Sequence, residues 1–186
     1  MADLERLTSA SSGVAARTAG WKANGLLAIA TFACLLPFIG KAVHMDDPLF
    51  LWTARQIRKS PFDFYGFNVN WYGSPEPMSG VMKNPPLHAY LLAGVNELVD
   101  GDERGLHAIL LLAAVASILG THAVAGRMCA NPLVAAFATL LTPAFLISST
   151  NLMCDTTLVA FWVWSIYFWL TGIRQGSWAL SSSRHY

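Results

Sequence analysis

Residues Gly105 to Gly126 read GLHAILLLAAVASILGTHAVAG, a stretch without a single Asp, Glu, Lys or Arg. A bilayer core of about 30 Å needs about 20 mostly apolar residues in a helix, so this stretch reads as a membrane span. Its abundance of Ala and Gly allows neighbouring helices to approach closely where lipid supplies no hydrophobic drive, which predicts a place inside a helix bundle. His107 and His122 within it are expected to hydrogen-bond between helices.

Three further segments flank this one. Trp21 to Gly40 is apolar, with Lys22 and Lys41 near its ends, where long side chains can snorkel into headgroups, and with Pro37 to kink it. Leu133 to Ser149 is shorter and broken by Pro143, and Thr156 to Ile173 is packed with Phe161, Trp162, Trp164, Tyr167, Phe168 and Trp169. The fold class predicted is all-α, a single membrane domain over residues 1–186, with about four spans near 21–40, 105–126, 133–149 and 156–173. Composition agrees: 54% of residues are apolar and 12% charged, where a soluble domain carries about 25% charged. A formal net charge of +1 leaves no field to hold nucleic acid. Cys34, Cys129 and Cys154 are far apart and form no CxxC, which argues against a disulfide framework or a zinc site.

Charge sets the expected orientation. With Met1 in the cytoplasm, Arg6, Arg17, Lys22, Arg127, Arg174 and Arg184 lie inside with only Asp3 and Glu5 as acids, whereas the outer loop, residues 44–104, sets Arg55, Arg58, Lys59, Lys83 and Arg104 against eight acids. That asymmetry fits the positive-inside rule and predicts a multi-pass protein of the cell membrane. Gly40-Lys41-Ala42 resembles a signal-peptide cleavage site, but a polar leader of more than twenty residues is long for one.

The loop is too polar to cross the membrane and too aromatic for a plain linker. It opens His44-Met45-Asp46-Asp47-Pro48-Leu49-Phe50. Asp47 before Pro48 reads as the cap of a short surface helix with Leu49, Trp52, Thr53 and Gln56 on one face, closed by Ser60-Pro61. Two adjacent carboxylates at a membrane boundary can share a proton or accept one from a substrate hydroxyl, because like charges push their pKa values apart; the plainer reading is one cap and one solvated acid. A second surface helix follows Lys83-Asn84-Pro85-Pro86-Leu87, with Asn84 as cap, Leu87, Tyr90, Leu91 and Val95 as its apolar stripe, and an end near Val99-Asp100-Gly101. Lys83 is a candidate phosphate contact, since helix starts attract anions. Between the helices, Trp71 and Tyr72 beside Asn70 suit a sugar, whose C–H face stacks on rings while its hydroxyls pair with amides; an aromatic belt at the headgroups accounts for the rings equally well. Asp155, in the turn before the last span, falls on the same membrane face as Asp46 and Asp47. The histidines show no metal-ligand spacing, so neither a metal nor any other cofactor is expected, although paired acids could hold a divalent cation.

These features in this order resemble the N-terminal part of the C-type glycosyltransferase superfamily, in particular membrane enzymes similar to protein O-mannosyltransferases and the aminoarabinose transferase of lipid A. Asp46-Asp47-Pro48-Leu49-Phe50 resembles the acidic pair that opens their large outer loop, Asn84-Pro85-Pro86-Leu87 their basic-Pro-Pro-Leu, and Met153-Cys154-Asp155 their Met-x-Asp turn. The resemblance covers nearly the whole chain but only about the first third of such an enzyme. It implies transfer of a sugar from a polyprenyl-phosphate donor to an acceptor at the outer face, with inversion. Carried over, Asp46 is the general base, Asp47 and Asp155 orient acceptor or donor, and Lys83 with Asn84 meets the donor phosphate, Asn84 standing where relatives usually carry Lys or His. The acceptor is not specified. The competing reading is a non-catalytic four-span protein that binds lipid or a partner through its aromatic loop.

Overall fold

The computed structural model describes residues 20–182, with side chains through Ile173. Arg6, Arg17 and Arg184, which entered the charge argument, lie outside the described residues, and Arg174 lies outside the described side chains. In chain order the elements are α1 (Gly20–Phe38, closing in a 3-10 turn), α2 (Asp47–Lys59), β1 (Asn68–Asn70), β2 (Pro75–Pro77), α3 (Met78–Val81), α4 (Leu87–Leu98), α5 (Glu103–Met128), α6 (Pro132–Leu140), α7 (Pro143–Ser148) and α8 (Asp155–Ser182). The all-α class holds. The two strands, which the sequence reading did not foresee, form one antiparallel hairpin pairing Asn68 with Pro77, Val69 with Glu76 and Asn70 with Pro75, turned through Gly73 at φ +94°.

Among the described residues three helices are long and apolar enough to cross a membrane: α1, α5 and the Asp155–Ile173 part of α8. The segment expected as the span 133–149 is instead two short helices of 9 and 6 residues. Pro143 has no N–H to donate to residue 139, so one helix cannot run through it: α6 ends at Leu140, and the Thr142 hydroxyl turns back to the Ala138 carbonyl at 2.7 Å. α6 and α7 together still return the chain to the end of the bundle from which α5 set out.

α5 is the most buried of the three long helices, as its small residues predict. Its tightest neighbour is α8. A Cβ on Gly120 would stand 2.5 Å from Val163 Cγ2 and 3.1 Å from Trp164 Nε1, so only glycine admits α8 at this distance. Ser117 Oγ donates to the Thr156 carbonyl (3.1 Å) and Trp164 Nε1 to the Ala116 carbonyl (3.0 Å), satisfying polar groups that lipid could not. The expected interhelical bond of His122 is made to Asn24 Oδ1 of α1, at 2.9 Å. Phe161, Trp162, Phe168 and Trp169 of α8 stay exposed, a surface suited to lipid.

Two cores result. One fills the bundle, with Leu27 and Leu35 of α1, Leu111, Ala114 and Ile118 of α5, and Ala136, Leu140 and Phe145 beyond. The other lies beneath the loop 44–104, where Phe50, Ala54 and Ile57 of α2 meet Leu92 and Val95 of α4, Met78, Leu106 and, from far along the chain, Leu152. The buried face of α2 thus centres on Phe50, Ala54 and Ile57 along with Leu49 and Thr53, while Trp52 and Gln56 are only half-buried. In α4 the expected stripe is displaced: Leu87, Tyr90 and Leu91 are exposed, and His88, Ala89, Leu92, Ala93 and Val95 face the core. For a helix at a membrane surface both faces meet apolar surroundings, so hydropathy alone cannot say which one turns inward.

Candidate functional site

The acidic pair opens α2, but not as the cap reading had it. Asp46 is the N-cap residue and its side chain makes no capping bond; Asp47 is already in the first turn, followed by Pro48. Met45, just before, sits at φ +52°, a left-handed conformation costing a non-glycine residue about 1 kcal/mol. The resulting tight turn, with Asp47 N–H donating to the His44 carbonyl at 3.1 Å, throws the two carboxylates apart. Asp46 is exposed. Asp47 is fully buried and accepts a 2.8 Å bond from the Leu152 backbone N–H, 105 residues away, and a 3.3 Å bond from the His44 backbone N–H, with His44 Nδ1 at 3.4 Å from the same oxygen.

Leu152 is the hub of the arrangement. Its side chain is fully buried in the core beneath the loop, its N–H is held by Asp47, and its carbonyl accepts from His88 Nε2 at 2.9 Å. A carbonyl only accepts, so Nε2 carries the proton; Nδ1, buried without a partner, is then a bare lone pair. Burial lowers the His88 pKa, against the opposing pull of the Leu152 carbonyl, Asp155 and Asp47. The ring is also fixed edge-on against Phe50, centroids 5.4 Å apart. One residue further back, Lys41 Nζ donates to Asn151 Oδ1 (2.7 Å) and Thr150 Oγ1 (3.1 Å). Lys41 therefore does not snorkel; it ties the end of α1 to the turn before α8.

Three elements of the loop end of the bundle, α1, α2 and α4, thus grip residues 150–152, and Asp155 follows directly as the first residue of α8. Its carboxylate is exposed on a groove of about 450 Å³ between α8 and the α6–α7 pair, lined also by Thr139, Thr142, Ser148 and Thr156. The structure brings Asp47 into contact with the turn and Asp155 close enough to act on His88, whereas Asp46 makes no side-chain bond among the described residues. Cys154, half-buried beside Asp155, has its thiol pKa raised by burial and then by that carboxylate, which leaves it a poor nucleophile. Among the described residues no three His, Cys, Asp or Glu side chains are grouped to hold a metal ion.

Lys83 is exposed, with Nζ 3.4 Å from the Ser79 carbonyl, its only hydrogen bond among the described residues. Asn84 does not cap α4, whose N-cap is Pro86; the two prolines hold residues 84–86 outside the helix. Its carbonyl accepts from the Tyr65 hydroxyl, and its side chain borders an apolar groove of about 550 Å³ between α4 and α8, shared with Leu87, His88, Leu91, Thr157 and Phe161. Asn70 and the half-buried Trp71 lie at the hairpin, Trp71 edge-on to Trp52 at 6.1 Å, and Tyr72 is exposed at its tip. They form a separate surface from the Asp47–Leu152 junction.

The sequence reading missed Lys41, His44, His88, Thr150 and Asn151. For Lys41, His44, Thr150 and Asn151 the one signal was position: polar residues that immediately follow the first span, or fill the turn before the last one, have little else to pair with than each other; His88, inside α4, gave no such signal.

The model of the family described as dolichyl-phosphate-mannose-protein mannosyltransferase matches residues 83–183, from Lys83-Asn84-Pro85-Pro86-Leu87 past Asp155. No curated protein matches the chain, and no solved structure does. The match takes in more than half of the chain, including α4, the Leu152 turn and all of the bundle after α1, and on that ground this membrane protein belongs to the dolichyl-phosphate-mannose-protein mannosyltransferase family of membrane glycosyltransferases.

Proposed function

We propose that the chain serves transfer of a sugar from a polyprenyl-phosphate donor to an acceptor at the membrane face bearing the loop 44–104, and that this face is the outer one. The observation that carries the reading is the bond from the Leu152 N–H to Asp47, which joins the helix opened by the acidic pair to the turn ending in Asp155. In the proposed reaction the acceptor hydroxyl gives its proton to the Asp46 carboxylate and its oxygen attacks the anomeric carbon. The bond from that carbon to the phosphate oxygen breaks, the configuration inverts, and polyprenyl phosphate departs with the bonding electrons. Asp46 suits a base because it is exposed and engaged by no other side chain among the described residues, while Asp47, spent on two backbone amides, suits a positioning role. Asp155 would orient the substrates. Lys83 and Asn84 would meet the phosphate at the mouth of the α4–α8 groove, where a cation acts on charge as it develops. Asn70, Trp71 and Tyr72 would receive the acceptor.

Asp46→Asn tests this directly. The side chain is exposed and bonds to nothing among the described residues, so thermal unfolding of the detergent-solubilised variant should match the parent, while transfer of labelled mannose from polyprenyl-phosphate-mannose in membranes should fall about 10²- to 10⁴-fold, the range for loss of a general base. Transfer at the parental rate would dismiss Asp46 as the base.

A further inference from the structure

The hairpin and α2 enclose a cleft of about 340 Å³, apart from the acids and the α4–α8 groove, lined by Trp52, Arg55, Gln56, Lys59, Phe67, Val69 and the two hairpin amides Asn68 and Asn70. Arg55 and Lys59 stand one turn apart on one face of α2, so two like charges point the same way with no carboxylate in the lining to separate them. Neither has an ion-pair partner among the described residues, in contrast to Arg58 next to them, which pairs with Glu97. Glu76, opposite Val69 in the hairpin, is met by the Ser74 hydroxyl and does not line the cleft. On the other wall Asn68 and Asn70 project from the same face of β1, because side chains alternate along a strand. Gln56 gives its Nε2–H to the Asp63 carbonyl at 3.1 Å, which fixes the amide and leaves its oxygen to accept. The Trp52 ring is braced by Trp71.

Two unpaired cations, three carboxamides and two rings in one cleft match a single ligand chemistry. Cations alone would suit any anion, and rings with amides alone a neutral sugar. We propose that this cleft binds a sugar bearing a phosphate, with Arg55 and Lys59 on the phosphate and Asn68, Asn70 and Gln56 on the hydroxyls, and that this sugar phosphate is the acceptor's recognition element. The proposal rests on the reading of Asn70 and Trp71 as acceptor contacts, and specifies that acceptor as anionic.

The full chain in phosphatidylcholine nanodiscs, without donor, is titrated with glucose 1-phosphate, methyl glucoside and inorganic phosphate by calorimetry. Glucose 1-phosphate should bind about tenfold or more tightly than either of the others. Arg55→Gln with Lys59→Gln should erase that preference, and Lys59→Arg should keep it. Both side chains are exposed, so the fold tolerates the changes; independently of any variant, raising ionic strength from about 0.05 to 0.5 M should weaken the sugar phosphate and leave methyl glucoside unmoved. A dodecyl-linked glucose 6-phosphate in the nanodisc distinguishes a lipid-borne ligand, which displaces the soluble sugar, from a soluble one, which persists; either supports the site. Equal binding of inorganic phosphate, equal binding of methyl glucoside, or displacement by phosphatidylglycerol overturns the proposal. Because donor is absent, a failure here leaves Asp46 untouched, and retention of transfer by Asp46→Asn leaves this binding result standing.

Discussion

At the scale of single residues the side chains that matter here are those whose roles their neighbours in sequence do not disclose. Asp46 and Asp47 are chemically alike and adjacent, yet a left-handed Met45 turns one outward and buries the other against Leu152. His88 closes the same latch from the opposite side and carries a pH dependence with a definite sign. Burial lowers its pKa in the folded state, so between that value and the unfolded value of about 6.5 the unfolded chain holds more protons, and stability rises with pH across this window. Acidification through about pH 6.5 and below should therefore destabilise the fold, because a second proton on Nδ1 would be buried without an acceptor. His88→Gln keeps a donor near the Leu152 carbonyl but does not titrate. Melting temperatures measured in detergent from pH 7.5 downward should fall more steeply for the parent than for His88→Gln, and parallel curves would show that His88 does not govern the acid limb. None of this was legible in the sequence, since Leu152 lies 105 residues from Asp47 and 64 from His88, and nothing local announces a peptide as the partner of both.

The elements themselves were more legible, and the errors among them share a cause. The long spans follow from apolar runs, and the interior position of α5 from its Ala and Gly; both survive because lipid imposes them locally. The hairpin was hidden because its strands are three residues each and proline occupies both ends of β2. The inner faces were read in part: Leu49 and Thr53 of α2 and Val95 of α4 do turn inward, but the α4 stripe is otherwise displaced, because a helix at a bilayer has two apolar environments to choose between. The α5–α8 contact yields the sharpest expectation at this scale. Gly120→Ala places a methyl group where Val163 Cγ2 and Trp164 already stand, and Trp164 cannot retreat without giving up its bond to the Ala116 carbonyl. Overpacking of this kind costs about 1–3 kcal/mol. Gly120→Ala should lower the melting temperature in detergent, whereas Gly172→Ala, with nothing near the added methyl group, should leave it unchanged or slightly raised; equal effects would refute close packing at Gly120.

For the whole molecule, the contacts define two ends of one bundle. Lys41, the loop 44–104, the Leu152 turn and Asp155 gather at one end, held by the Lys41–Asn151 and Asp47–Leu152 bonds; Asn24 with His122, and Arg127 with its guanidinium 4.3 Å over the Tyr167 ring, stand toward the other. Every proposed catalytic side chain belongs to the first end, so a single fact about orientation decides the compartment in which all of them work. The proposed orientation puts the loop end outside, on the expectation that the basic residues flanking the spans stay in the cytoplasm. Phe62, fully exposed at the loop, and Cys129, exposed just after α5, report on the two ends independently. With Cys34 and Cys154 replaced by Ser, a membrane-impermeant maleimide applied to intact cells should label Phe62→Cys at once and Cys129 only after permeabilisation. Labelling of Cys129 alone would invert the molecule, placing the aspartates in the cytoplasm with any sugar donor displayed there. Equal labelling of both would mean that the α5 crossing fails to separate them, and the membrane assignment of that helix would fall with it.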